Sequence, residues 1–141
     1  MELTTGSRII ALPGSETTIR SYSGVRLLIV DEASRVPDDV YIAVRPMVAV
    51  SGGRIVLLST PHSKRGFFYD VWQHGSAVWH REEIPATACP RIPAAFLEEE
   101  RRALGPFYEQ EYMTQFLDSQ FQLYASADIE AAISTEVTPL F

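Results

Sequence analysis

Hydrophobic positions in this chain come in short unbroken runs, separated by stretches where they recur every three or four residues. Val25 to Val30 is a nearly continuous apolar run, and Arg54 to Leu58 repeats the pattern. Runs of this length predict strands covered on both faces. Between them, Pro37-Asp38-Asp39 opens a helix, with proline at an early position and carboxylates at the positive end of the helix dipole. Its expected buried stripe is Val40, Ala43, Val44, Met47 and Val48, and Gly52-Gly53 closes the unit. Strand, helix and strand in this order predict a βαβ crossover with the two strands parallel.

The remaining segments extend the alternation. Arg8 to Leu12 is a short apolar run closed by Pro13-Gly14, and Thr17 to Tyr22 reads as a weaker strand or an extended loop. A helix is expected from Gly66 to about Gln73, carrying Phe67, Phe68, Val71 and Trp72, and then a strand from Val78 to Ile84. Pro93 starts a helix that runs to Leu104, supported by Glu98 and Arg102 one turn apart. Gly105-Pro106 breaks it, and a further helix is expected from Phe107 to about Asp118, with Tyr108, Tyr112 and Phe116 on one face. The alternation predicts an α/β layered fold, with the strand-bearing part at 1–90 and a helical part at 91–141.

Length and composition narrow the class without naming a function. The chain has 141 residues, enough for one compact domain with a core. No stretch approaches the roughly 20 apolar residues that span a bilayer, and Met1 to Thr5 lacks the pattern of a signal peptide. The expectation is a cytosolic protein with no membrane contact. Cys89 is the single cysteine, and with His74 and His80 it has no metal-ligand spacing. The net charge of −6 argues against a clamp that covers DNA with basic residues, though not against a local basic patch. Trp72 and Trp79 lie in apolar segments and read as core, His62 reads either as a phosphate contact or as a solvent-facing loop residue, and Glu98 to Arg102 reads as a solvated helix face.

The chemical signal lies at two strand ends. Leu27-Leu28-Ile29-Val30-Asp31-Glu32 is four apolar residues followed by two acids, the Walker B pattern of nucleotide hydrolases. A buried strand holds Asp31 where it can orient magnesium, and Glu32 is placed to polarise the water that attacks a γ-phosphate. The plain alternative is a polar strand exit. Leu57-Leu58-Ser59-Thr60-Pro61 is the second end. Its small hydroxyls can bond a phosphate or the attacking water, and its plain alternative is an ordinary strand-to-helix turn. On successive strands of one crossover, the two ends fall at the same edge of the sheet, where open parallel sheets bind ligands.

These residues resemble the phage terminase large subunits. The likeness runs from Ile19 through Asp31-Glu32-Ala33-Ser34-Arg35-Val36-Pro37, through Arg45-Pro46-Met47 and through Gly53 to Pro61. It continues in Arg65-Gly66-Phe67-Phe68-Tyr69, Trp72, Tyr108-Glu109-Gln110-Glu111-Tyr112 and Phe116, so that it covers nearly the whole chain. The resemblance implies a RecA-like P-loop ATPase of the additional-strand, catalytic-glutamate type, a three-layer sheet followed by a C-terminal helical segment. It implies that Asp31 is the Walker B aspartate on magnesium, that Glu32 is catalytic, and that Ser59-Thr60-Pro61 couples hydrolysis to DNA movement. Arg20 falls where many members carry an arginine finger that reaches a neighbouring subunit's nucleotide. A guanidinium suits that task with planar donors of fixed charge, the alternative being a surface salt bridge. Ser21 stands where the family usually has glycine.

One part of such a site is missing from the sequence. The phosphate-binding loop has the pattern G-x-x-x-x-G-K-[ST], and the single lysine, Lys64, follows Ser63. The chain is therefore expected to be the C-terminal part of an ATPase region lacking the P-loop strand and the nuclease domain. It is expected to bind neither ATP nor Mg²⁺ well by itself, and to need an upstream segment to work. By resemblance its partners are double-stranded viral DNA, a terminase small subunit and a portal, in the host cytoplasm. Two other readings stay open: a non-catalytic remnant that binds packaging partners, and a fragment of a DExx-box helicase.

Overall fold

The computed structural model describes residues 1–13, 22–118, 123–124 and 126–133. Arg20, and the strand expected over Thr17 to Tyr22 apart from Tyr22 itself, lie outside them. Two compact units are present. The first comprises Met1–Thr60 with Gly66–Ser76, and the second Pro61–Arg65 with Ala77–Phe141.

The first unit is built on β1 (Leu27–Val30), α1 (Asp38–Val44), β2 (Arg54–Leu57) and α2 (Phe67–His74). β1 and β2 pair in parallel, with Leu27 opposite Arg54 and Val30 opposite Leu57, so the expected crossover is present. The register is set where the chain returns from α1. A Cβ on Gly53 would stand 2.2 Å from the carbonyl oxygen of Val25 and 3.0 Å from that of Arg26, so only glycine lets the backbones approach. Around that contact, the Gly53 amide donates to Val48 O at 3.0 Å and the Val25 amide to Met47 O at 3.0 Å. The Ser51 hydroxyl bonds the carbonyls of Val25 and Val48, and the Arg26 guanidinium donates to Ser51 O at 3.0 Å.

The core gathers Ala33, Val40, Tyr41, Val44, Met47 and Phe67, with Leu28, Val30, Leu57 and Phe68 packed against it. Tyr41 and Phe67 stack with ring centroids 4.0 Å apart. The Asp38 carboxylate, in the first turn of α1, accepts the Phe67 amide at 2.8 Å and so caps α2. The helix after β1 is shorter than the stripe suggested. It gives way to a 3-10 turn over Arg45–Val48, because Pro46 has no amide to donate and its ring crowds the preceding turn. Val40, Val44, Met47 and Val48 are still buried.

Among the described residues, the strands are covered on one face rather than two. Leu28, Val30 and Leu57 turn toward the core, whereas Leu27 is 52 %, Ile29 55 % and Leu58 50 % exposed. Side chains alternate across a strand, so an unbroken apolar run cannot by itself say whether both faces are covered. The three layers expected of the sheet are therefore not all present among the described residues. Val78 to Ile84 is not a strand either. Val78 is 87 % exposed, and the described sheet contains β1 and β2 only. An apolar run becomes a strand when another backbone takes its amides and carbonyls. Arg8 forms an isolated antiparallel bridge with Glu2, and no longer strand develops there.

In the second unit, α3 (Ala94–Leu104) is followed by α4 (Phe107–Glu111), with α5 (Ser126–Ala132) further on. α4 stops well short of Asp118, because Thr114 takes a left-handed conformation with φ 58°. Phe116 therefore leaves the face shared by Tyr108 and Tyr112, whose rings stack at 5.3 Å. The Tyr112 hydroxyl donates to Glu100 at 3.0 Å, and this bond raises its pKa. The Leu117 amide donates to His62 O and the Lys64 amide to Leu117 O, each at 3.1 Å, with a Lys64–Asp118 ion pair at 2.9 Å beside them. Arg102 and Glu98 pair at 2.9 Å, as their spacing predicts. No described helix is long and apolar enough to cross a membrane.

The tight approach at Gly53 gives a stability test. Gly53→Ala is expected to lower the unfolding free energy by about 2–3 kcal/mol in urea denaturation, the cost of forcing atoms into a packed contact. An unchanged midpoint would mean that β2 enters the sheet by another path.

Candidate active site

β1 and β2 run in the same direction, so Asp31 and Ser59 leave the sheet at the same edge. In a regular parallel ladder, the residue opposite Asp31 would bond the Val30 carbonyl on one side and the Glu32 amide on the other. Leu58 does the first: its amide donates to Val30 O at 3.0 Å. Its carbonyl instead accepts the Ala33 amide, also at 3.0 Å. One residue more than the ladder needs is thus fitted opposite Leu58, which is a bulge.

The extra residue is Glu32. It takes the left-handed conformation, φ 51° and ψ 40°, which costs a residue with a side chain roughly 1–2 kcal/mol. Its amide donates to Asp31 Oδ1 at 3.0 Å, and its carbonyl accepts the Arg35 amide at 2.9 Å, opening a 3-10 turn over Ala33–Arg35. Ala33 is buried at the core, whereas Asp31 and Glu32 are both exposed. The loop therefore pins its third residue inside and presents two carboxylates to solvent.

Just beyond, the two strand exits are bonded to each other. The Ser34 amide donates to Ser59 Oγ at 3.1 Å, and the Ser59 hydroxyl donates to Ser34 Oγ at 2.8 Å. Thr60 follows, half-buried. Asp31, Glu32, Ser59 and Thr60 are thus gathered at one sheet edge, with Arg20 outside the described residues. Ser34 is the residue the sequence did not single out. Its signal is weak, a hydroxyl three positions after Asp31, and only the parallel register sets it against Ser59.

Comparison with known proteins supplies the family. Residues 1–131 match the family described as terminase large subunit, T4likevirus-type, N-terminal. The chain belongs to this terminase family. Among solved structures, it is similar to a mutant large terminase ATPase domain of Thermus phage P74-26, with a TM-score of 0.51 and 22% identity. That match covers 69% of this chain and 46% of the solved domain, so the chain spans less than half of the relative's length. No curated protein matches it. The terminase likeness fits a mixed α/β fold with a parallel strand pair, as seen here.

The bulge makes a prediction about Glu32. Replacing it with glycine removes the left-handed penalty and adds some chain entropy to the unfolded state, for a net gain of about 0.5–1 kcal/mol. Thermal and urea unfolding of Glu32→Gly should show that rise, and a loss of stability would mean that the carboxylate itself holds the loop.

Proposed function

We propose that this chain is the part of a viral DNA-packaging ATPase that carries the hydrolytic acids and the coupling segment, and that another segment supplies the phosphate-binding loop. The observation that carries this reading is the shared sheet edge, where a bulge presents Asp31 and Glu32 and the turn that follows is bonded to Ser59. In this reading Asp31 orients magnesium through its free carboxylate oxygen, and Glu32 takes a proton from the attacking water. Ser59 and Thr60 form the coupling segment, and Arg20 serves a neighbouring subunit's nucleotide. The chain is then the later part of the ATPase region. Its partners are viral DNA, a small subunit and a portal, in the host cytoplasm.

The residues present fit one side of a magnesium–nucleotide site. Hard carboxylate and hydroxyl oxygens suit Mg²⁺, which keeps waters and takes few protein ligands when phosphates complete its shell. The described residues hold no group of three or more potential ligands that would cage a metal by themselves. The fit fails on the phosphate side, since the sequence has no glycine-rich loop ending in lysine. When bound, the magnesium would neutralise charge developing on the phosphates. The bare apolar face at Leu27, Ile29 and Leu58 supports the need for a further layer, because parallel sheets are ordinarily covered on both faces. The same bare face is what a non-catalytic remnant would use to dock on packaging partners.

Calorimetric titration with Mg·ATP and a hydrolysis assay separate these readings. The isolated chain is expected to show no saturable binding at micromolar nucleotide. Co-expression with a phosphate-loop segment from a terminase of this family should yield ATP hydrolysis, reduced about 100-fold or more by Glu32→Gln. Micromolar binding by the chain alone, or a stable complex with no hydrolysis, would overturn the proposal.

A further inference from the structure

The turn that carries Glu32 is bonded from outside its own strand. On the near side of the bulge, Leu58 N–H holds Val30 O; on the far side, Leu58 O holds Ala33 N–H. Those two bonds fix the length of the loop and leave its twist to the residues that follow. The next anchor is the pair of bonds between Ser34 and Ser59, at 3.1 and 2.8 Å. Through it, the turn that begins at Glu32 is fastened to the tip of β2 rather than to β1.

We propose that Ser34 and Ser59 form a latch that keeps Glu32 left-handed and so aims its carboxylate, which makes Ser34 a positioning residue for the hydrolytic site. The inference rests on the ATPase reading given above. Its physical basis is local. A left-handed residue with a side chain returns to the ordinary regions unless bonds on both sides hold it. Upstream, Asp31 Oδ1 holds the Glu32 amide. Downstream, the Arg35 amide bond to Glu32 O closes the turn, and the Ser34 amide ties that turn to Ser59.

The latch also links the two strand ends chemically. Ser59 has one hydroxyl proton, and it goes to Ser34. Any acceptor that arrives at the tip of β2 competes with Ser34 for that proton. The sensor role read for Ser59 and the aim of Glu32 are therefore coupled through the pair of bonds between Ser34 and Ser59.

Backbone NMR on the full chain tests the latch without nucleotide, so its outcome is independent of whether the chain takes part in ATP hydrolysis. In Ser59→Ala, the Ser34 amide should exchange at least tenfold faster, and the Cα and Cβ shifts of Glu32 should lose their positive-φ signature. The ladder amides of Arg54 and Leu58 should stay protected, and Ser59→Thr should restore both signals. An unaltered Glu32 signature in folded Ser59→Ala would overturn the proposal. Should Ser59→Ala unfold, the wild-type chain decides: a slowly exchanging Ser59 hydroxyl proton with a nuclear Overhauser contact to the Ser34 amide upholds the latch, and its absence overturns it.

Discussion

The structure depends on the parallel pairing of two short strands and on how closely their backbones approach. That pairing is fixed at one end by Gly53, where any side chain would strike Val25 and Arg26. At the other end it is fixed by Leu58, which bonds across an extra residue. Between these points the register is forced, and with it the face each side chain takes. Leu28, Val30 and Leu57 join α1 and Phe67 in the core, while Asp31 and Ser59 leave the sheet at the same edge.

Much of the crossover was legible because its signals are local. Gly52-Gly53 marks a close approach, Pro37-Asp38-Asp39 starts a helix, and two apolar runs mark strands. Their parallel pairing follows from the length of the connection. What failed depended on partners. Val78 to Ile84 has the composition of a strand but no described ladder neighbour, and the apolar runs of β1 and β2 do not reveal that the described residues leave one face bare. The helix after Gly105 is shorter than its aromatic spacing suggests, since a recurring aromatic says nothing about the backbone turn at Thr114.

The candidate site was half legible for the same reason. Asp31, Glu32, Ser59 and Thr60 stand out as a pattern of acids and hydroxyls after strands. Their gathering at one edge follows from the register. Nothing in the sequence marks the bulge or the role of Ser34, because both arise from bonds between residues 25 positions apart. Membership of the terminase family gives these features a context. A strained, exposed glutamate beside a hydroxyl pair is the kind of local cost that functional sites carry and that packing elsewhere must offset.

Presentation of the two acids depends on Glu32 being an additional residue fitted opposite Leu58. Scalar couplings transmitted across hydrogen bonds read this directly in a doubly labelled sample. The bulge requires a coupling between the Ala33 amide nitrogen and the Leu58 carbonyl carbon. A coupling from Glu32 to Leu58 in its place would mean an unbroken ladder, with no bulge to present the two acids.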